Sequence, residues 1–303
     1  MSEIKYFKVT VNPGLRIDKV LSLAFPDMSR SYLQKLIKDG QVSVNGNKIK
    51  SNYKVSLHDE IAINIPELAP LEIVPEPMNL DILYEDADVI LINKGKNVVV
   101  HPAAGHTNGT LVNGLLYHCK DQLSGINGVM RPGIVHRIDR NTTGVIVVCK
   151  NDMAHRCLAQ QLKEHSITRR YEAIVYHHFS QDFGQIEGPI GRHPIDRKKM
   201  AINYKNGKPA VTHYRVLQNF SSNFAHVECE LETGRTHQIR VHMASIQHPL
   251  LGDDVYGPAK CPYHLEGQTL HAKILGFIHP SQKKYMEFEA PRPKYFEELL
   301  RKL

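Results

Sequence analysis

The first 65 residues show two helical patterns of apolar positions followed by two strand-like ones. Apolar side chains recur at helical spacing in 15–25 and again in 32–37, and Gly40 stands where the second helix would end. Residues 41–46 alternate between polar and apolar and close with Asn-Gly, a dipeptide typical of hairpin turns. With a further strand over 55–65, the pattern predicts a small helix–hairpin domain.

A proline-rich segment separates this domain from the rest of the chain. Residues 66–79 hold four prolines, and proline lacks the amide hydrogen that a regular helix or strand needs. Such a segment favours an extended, fairly stiff connector. We therefore expect a small domain over 1–70, a linker over 71–79 and a larger domain over 80–303.

The larger domain mixes strand-like and helical patterns. The clearest signal is the β-branched run Val145–Val148, which suits a strand buried on both faces. Other strands are predicted over 80–85, 89–94, 98–102, 168–176, 211–217, 224–231, 269–277 and 285–288. Helices are predicted over 111–118, 154–165 and 295–303, and a further one begins at His237 with Thr236 as its cap.

The distribution of charge favours a polyanionic partner. The formal net charge is +7, and residues 28–58 and 188–208 each contain six basic residues and a single acidic one. Nucleic acid is the usual partner of such basic surfaces, although a solvated face has the same composition. The second segment is punctuated by Gly and Pro and is predicted to be a loop.

Other features narrow the class of protein. No apolar run approaches the ~18 residues of a membrane helix, and the first residues lack the apolar core of a signal peptide, so we expect a cytoplasmic protein. The five cysteines are scattered without a Cys-x-x-Cys pair, and the histidines lack metal-ligand spacing, so no zinc or other metal site is predicted. The chain also lacks a Gly-rich nucleotide loop, which favours chemistry without a cofactor.

The strongest candidate for chemistry is Asp139. Gly144 and the polar residues before it form a tight loop at the entrance to the predicted buried strand, and Asp139 lies in that loop between Arg137 and Arg140. A carboxylate beside cations at a strand entrance can be directed at a cleft and kept ionised. The alternative is that Asp139 only caps a turn.

Three segments together resemble the motifs of the RluA family of pseudouridine synthases, and they occur in the family's order. The first is His-Arg-Ile-Asp-x-x-Thr-Thr-Gly at 136–144, which differs from the family's string by Ile138 for Leu and Thr143 for Ser. The second is Tyr-x-Ala at 171–173, and the third is Gly-Arg-Thr-His-Gln-Ile-Arg-x-His at 234–242.

The resemblance implies roles for individual residues. Asp139 matches the family's catalytic carboxylate, Tyr171 the tyrosine that lies against the target uracil, and Arg240 the arginine that pairs with the catalytic Asp. Arg137 matches the residue that fills the space left when the target base flips out of the RNA. The string Leu-Leu-Gly-Asp-Asp-x-Tyr-Gly at 250–257 is also typical of the family.

The N-terminal domain resembles the small RNA-binding domain shared by a ribosomal small-subunit protein, tyrosyl-tRNA synthetases and many pseudouridine synthases. The strings that carry the resemblance are Arg-x-Asp-Lys-x-Leu, Ser-Arg-Ser-x-Leu-x-x-Leu-Ile and Gly-x-Val-x-Val-Asn-Gly, all within 16–46. The resemblance implies a basic surface that contacts phosphates, and the residues that match it are Arg16, Arg30, Lys35, Lys48 and Lys50.

Nearly the whole chain takes part in these resemblances, and their combination is that of the RluD-like subgroup. It implies a mixed α+β fold with a catalytic domain built on a largely antiparallel sheet, and isomerisation of uridine to pseudouridine without a cofactor. The expected partner is large-subunit ribosomal RNA or its precursor particle. We expect a monomer that binds no membrane.

Three alternatives remain open from the sequence. The chain could be a non-catalytic RNA-binding factor in ribosome assembly, but such a protein would show damage at the catalytic positions and this sequence shows none. The same chemistry could act on another RNA, such as tRNA. A metal-dependent nuclease with Asp139, Asp253 and Asp254 as ligands is a third reading, against which the three motifs argue.

Overall fold

The structure is a computed structural model in which two compact units, Met1–Leu71 and Glu72–Leu303, can be distinguished. It describes the chain except for residues 1, 2, 12, 26, 27, 29, 66–72, 103–106, 121, 127–131, 197 and 198, and except for the side chains of 3 and 30–32. Part of the expected linker therefore lies outside the described residues. Residues 73–79 form neither helix nor strand.

The first unit packs two helices on a small antiparallel sheet. Its elements are β1 (Glu3–Lys8), α1 (Ile17–Ala24), α2 (Arg30–Lys38), β2 (Val42–Val44), β3 (Asn47–Lys48) and β4 (Glu60–Ile65). The strand order is β1-β4-β2-β3. The apolar stripes of both helices meet the sheet in one core, in which Leu21, Leu33 and Ile63 are fully buried. The helical spacing read from the sequence thus identifies the buried faces.

The second unit is organised around one large sheet. The strands of this unit, which include two outside the large sheet, are β5 (Ile82–Glu85), β6 (Val89–Lys94), β7 (Thr143–Cys149), β8 (Thr168–Tyr176), β9 (Phe183–Glu187), β10 (Ile190–Arg192), β11 (Met200–Ile202), β12 (Val211–Phe220), β13 (Phe224–Leu231), β14 (Leu270–Ile278) and β15 (Tyr285–Glu289). Its helices are α3 (Leu111–Cys119), α4 (Asp152–Lys163), α5 (Gln238–Ser245) and α6 (Lys294–Lys302). No helix in the described ranges is long and apolar enough to cross a membrane.

Within the described residues the large sheet has nine strands, in the order β5-β6-β7-β14-β8-β13-β12-β9, with β15 paired to β14. All neighbours are antiparallel except β7 and β14. The prediction of an α+β fold with a largely antiparallel sheet is confirmed.

Strand β7 is buried along its whole length, as its β-branched run predicts. Val145 and Val147 face the core that includes α4 and α5. Ile146 and Val148 face a second core, on the side of the sheet that α3 covers. Alternate side chains of a strand point to opposite faces, so this strand needs apolar residues at every position.

Three details differ from the pattern-based expectations. Residues 98–102 are not a strand, because the carbonyls of Val99 and Val100 accept the amide hydrogens of Leu111 and Val112 at the start of α3 instead. Helix α5 begins at Gln238, with His237 as a left-handed N-cap residue at φ +56° and without a side-chain cap. The predicted loop over 188–208 contains the two-stranded sheet of β10 and β11.

Gly144 determines how the loop before β7 meets the sheet. Its φ is +108°, and a Cβ there would lie 2.2 Å from the carbonyl oxygen of Ala272. Only glycine leaves room for β7 to pair with β14 at this point, where Gly144 is opposite Ala272. The loop that carries Asp139 therefore ends against β14.

Candidate active site

A cavity of about 350 Å³ lies where the loop before β7 meets the N-terminus of α5. Asp139, Tyr171 and Arg240, the three candidates for catalysis, all line it, and so does Arg137. These residues come from three segments of the chain, the loop before β7, strand β8 and helix α5, which the fold brings together. The other lining residues are Val135, His136, Ile138, Thr142, Leu162, His165, Arg169, Leu231, Gly234, Arg235, Thr236, His237, Gln238, Ile239 and Leu270.

Arg240 binds two carboxylates at once. Its Nε and Nη2 donate to the two oxygens of Asp253 at 2.7 and 2.9 Å, and its Nη1 donates to Oδ2 of Asp139 at 3.0 Å. The fork-like pairing with Asp253 fixes the plane of the guanidinium. Arg240 is 5% exposed, so Asp139 is held by a buried cation that cannot swing away.

The charged forms of Arg240 and Asp253 stabilise each other. Burial works against the charged form of Arg240, but its bonds to Asp253 and Asp139 outweigh this and raise the pKa of the guanidinium. Burial likewise opposes ionisation of Asp253, yet Arg240 and the amides of Tyr256 and Val255 hold the pKa of that carboxyl below its usual range. The sequence had offered Asp253 only as a metal ligand, and its oxygens are instead engaged by these donors.

His237 faces the second oxygen of Asp139. Its Nε2 lies 3.9 Å from Oδ1 of Asp139, and its Nδ1 lies 2.8 Å from the hydroxyl of Tyr256. Burial lowers the pKa of His237, while Asp139 works in the opposite direction. The imidazole is therefore neutral at neutral pH. The third motif contains His237, but no role for this residue could be inferred from the motif alone.

Tyr171 lies on β8 at the wall of the cavity and is 8% exposed. Burial raises the pKa of its hydroxyl, so the group keeps its proton at neutral pH.

Two further residues of the cavity wall were not predicted from the sequence to have a role. The buried Arg169 donates to the carbonyls of Leu231 and Glu232. Nε2 of His136 accepts the amide hydrogen of Val147 at 3.1 Å.

Lys94 stabilises the loop that carries Asp139 by hydrogen bonds to backbone carbonyls. Its Nζ donates to the carbonyls of Gly95, Val98 and Arg140 at 2.8, 3.0 and 2.9 Å, and the residue is 2% exposed. Burial lowers the pKa of Lys94 to about 7, with Asp139 opposing that shift. The sequence signal for this role is a lysine at the end of the predicted strand 89–94, because a lysine in a buried strand must find polar partners.

The candidate RNA contacts lie partly on this unit and partly on the first one. Arg137 is exposed at the cavity, with Nη1 3.3 Å from Nε2 of His101. In the first unit, Lys35, Lys48 and Lys50 are exposed, whereas Arg16 is bound to the buried Asp18 at 3.1 Å. The side chain of Arg30 lies outside the described residues.

Two trios of side chains in the described ranges are close enough to hold a metal ion, Glu85 with His118 and Cys119, and Asp86 with Asp88 and His279. None of these residues lines the cavity around Asp139. Glu85 already accepts from Lys150 and His118 at 2.8 Å, and Asp86 accepts from the hydroxyl of Tyr84 and from two amides. Glu85 and Asp86 thus already accept hydrogen bonds from groups within the protein.

Two family models match separate parts of this chain. A family model described as RNA pseudouridylate synthase matches residues 88–245, and an S4 domain model matches residues 15–61. The chain is 54% identical over 288 residues to the uncharacterized RNA pseudouridine synthase YlyB of Bacillus subtilis, and the match covers 95% of this chain and 94% of that one. It is 43% identical over 302 residues to the ribosomal large subunit pseudouridine synthase D of Escherichia coli, with coverages of 95% and 90%.

A solved structure, human RNA pseudouridylate synthase domain containing 4, is similar in fold. It has a TM-score of 0.56 and 25% sequence identity, and the match covers 73% of this chain and 92% of the human chain. The family model spans more than half of the chain, and the bacterial relatives match almost all of it. The chain therefore belongs to the RNA pseudouridylate synthase family, and its N-terminal unit contains an S4 domain.

Proposed function

We propose that this protein isomerises uridine to pseudouridine in large-subunit ribosomal RNA, with Asp139 as the catalytic residue. The observation that carries the proposal is the hydrogen bond of 3.0 Å from Arg240 to Asp139 inside the cavity. It keeps a charged carboxylate in a fixed orientation within a space large enough for a base. The named relatives of Zymomonas mobilis and Escherichia coli are ribosomal large subunit pseudouridine synthases.

The reaction breaks the glycosidic bond between the sugar carbon and N1, turns the uracil and forms a bond between the same sugar carbon and C5 of the base. C5 then loses its proton and N1 gains one, so that the product is an isomer of uridine. A carboxylate near the anomeric carbon is suited to this chemistry, as in glycoside cleavage. With Oδ2 bound by Arg240, Oδ1 of Asp139 is the oxygen directed at the substrate. That oxygen either attacks the sugar carbon or removes a sugar proton.

Tyr171 and Arg137 have separate tasks in the proposal. The ring of Tyr171 supports the uracil, since an aromatic side chain offers a flat apolar face and its hydroxyl can form a hydrogen bond. A base in folded RNA must leave its stack before it reaches Asp139. Arg137 is exposed at the cavity, and its planar guanidinium can stack in the vacated position.

The S4 domain supplies a second grip on RNA. Lys35, Lys48 and Lys50 are exposed there and suit phosphate contacts, and Arg16 and the helix that begins at Arg30 belong to the same basic unit. We propose that the protein acts as a monomer. We also place its action in the cytoplasm, on the ribosomal RNA or its precursor particle.

The test is to incubate the purified protein with ribosomal RNA and tRNA from a strain that lacks it, and to map the new pseudouridines. We expect modification at defined positions of the large-subunit RNA, in the presence or absence of EDTA. Modification of tRNA alone would overturn the substrate assignment. RNA bound but unmodified would instead favour the assembly-factor reading, and cleavage that requires a metal would favour a nuclease.

A further inference from the structure

The segment at 250–257, typical of the family, contributes Tyr256 as well as Asp253 to the site. The guanidinium carbon of Arg240 lies 5.1 Å from the centre of the Tyr256 ring. The hydroxyl of the same tyrosine lies 2.9 Å from the amide nitrogen of Met200 and 2.8 Å from Nδ1 of His237. We propose that Tyr256 is a positioning residue that fixes the tautomer of His237 and links strand β11 to the carboxylate of Asp139.

The donors and acceptors at the hydroxyl determine the tautomer. The amide of Met200 can only donate, so the oxygen of Tyr256 accepts from it. The hydroxyl proton remains available for Nδ1 of His237, 2.8 Å away, and in the proposed arrangement Nδ1 accepts it. A neutral imidazole carries one proton, and with Nδ1 as acceptor that proton is on Nε2.

This tautomer presents an N–H group to Asp139. Nε2 of His237 lies 3.9 Å from Oδ1, which is longer than a hydrogen bond, whereas Arg240 binds Oδ2 directly. Oδ1 is therefore open to the substrate, with a donor beside it. The other tautomer would direct a lone pair at the carboxylate, which is repulsive and would disturb its orientation.

The groups that face His237 are consistent with a neutral imidazole. Burial is the largest influence and lowers its pKa, and Arg240 and Arg137 act in the same direction, while Asp139 and Asp253 oppose them. The hydroxyl of Tyr256, as a donor to Nδ1, also favours the neutral form.

The hydroxyl also connects the site to a surface that can contact RNA. Met200 begins β11 and pairs with Arg192 at the end of β10. Lys199, Lys205 and the strongly exposed Tyr204 belong to the same basic segment. In the proposed link, a movement of this hairpin when RNA binds shifts the amide of Met200. The hydroxyl of Tyr256, which accepts from that amide, transmits the movement to His237 and so to Asp139.

The test combines the protonation of His237 with the rate of reaction, in the full-length protein. Long-range 1H–15N spectra of 15N-histidine-labelled protein report the tautomer, and the His237→Asn variant assigns the signal. We expect the Nε2-protonated form in the wild type. In Tyr256→Phe we expect a mixture of tautomers and a higher pKa for His237, because Nδ1 has lost the donor that favours the neutral ring. Tyr117→Phe, an exposed tyrosine on α3 that does not line the cavity, is the matched control and should change neither property.

This inference rests on the proposed function for its second measurement. In single-turnover reactions, Tyr256→Phe should form pseudouridine about three- to tenfold more slowly, the effect of losing about one hydrogen bond, with unchanged affinity for RNA. An Nδ1-protonated His237 in the wild type would overturn the proposal. So would a slower Tyr256→Phe with an unchanged tautomer, or a changed tautomer at the wild-type rate. If the wild type forms no pseudouridine in any RNA, the proposed function fails, and the spectra still decide the tautomer.

Discussion

At the residue scale, the geometry of the site depends on how the guanidinium of Arg240 distributes its N–H donors between two carboxylates. Arg240 directs Nε and Nη2 to Asp253 and leaves Nη1 for Asp139. Because the pairing with Asp253 is bidentate, it fixes the direction of the third donor. The orientation of the candidate catalytic carboxylate is thus set by a second carboxylate that never touches the cavity space.

Replacing Asp139 by Asn tests the central role. The amide keeps the shape and can still accept from Nη1 of Arg240, but it removes the negative charge and the nucleophilic or basic oxygen. We expect the single-turnover rate of pseudouridine formation to fall by at least about 10³-fold, with folding and RNA affinity nearly intact. Mass spectrometry must exclude deamidation of the variant. A rate near that of the wild type would remove Asp139 from the mechanism.

Asp253 and Asp254 form a matched pair, one buried on Arg240 and the other exposed. Asp253→Asn leaves the guanidinium of Arg240 without its main partner, and breaking such a buried pair costs about 3–5 kcal/mol of unfolding free energy. Asp254→Asn should change it by less than about 0.5 kcal/mol. Urea denaturation measures both. Equal stability of the two variants would mean that Asp253 does not hold Arg240.

The contribution of Asp253 should depend on pH in a defined direction. Its pKa is lower in the folded protein than the value of about 3.9 expected in the unfolded chain. The unfolded state therefore takes up the proton first, so the stability that Asp253 provides is complete above about pH 4. The difference in unfolding free energy between wild type and Asp253→Asn should shrink as pH falls towards the folded pKa. A difference that stays constant down to pH 2 would contradict this.

At the element scale, periodicity predicted most helices and strands because each has one apolar face or two. The run Val145–Val148 predicted a strand buried on both sides, and α3, α4 and α6 lie within two residues of their expected bounds. The failures occur where backbone groups pair outside the regular elements. Residues 98–102 look like a strand, but their carbonyls cap α3. The left-handed His237 at the start of α5 has no signal in the pattern of apolar residues.

Gly144→Ala tests the close contact between β7 and β14. Alanine at φ +108° is strained, and its Cβ would clash with the carbonyl oxygen of Ala272 at 2.2 Å. We expect a loss of about 3 kcal/mol or more in unfolding free energy, and slower catalysis because the loop of Asp139 must shift. Gly125→Ala is the control, since a Cβ there meets nothing within 4 Å, and it should change stability by less than about 1 kcal/mol.

At the scale of the whole molecule, the motifs predicted that Asp139 and Arg240 lie together, but not the contacts that hold them in place. The pairing of Asp139 with Arg240, 101 positions apart, followed from the family resemblance. The contact of Lys94 with the carbonyl of Arg140, and the roles of Asp253 and Tyr256, did not. Such contacts depend on the strand order of the sheet, and no local pattern in the sequence reports that order.

The exposed lysines of the S4 domain should govern how binding depends on salt. Each phosphate contact that is lost reduces the number of counterions released when RNA binds. The slope of log K against log salt then becomes less steep by roughly 0.7–0.9. Lys35, Lys48 and Lys50 changed together to Ala should therefore reduce the slope by about two to three units, with little effect on the single-turnover rate at saturating RNA. The control replaces three exposed lysines of the larger unit, Lys163, Lys283 and Lys284, which do not line the cavity. Binding titrations at several salt concentrations decide the matter. If the first variant binds as tightly as the wild type at every concentration, its lysines form only a solvated face.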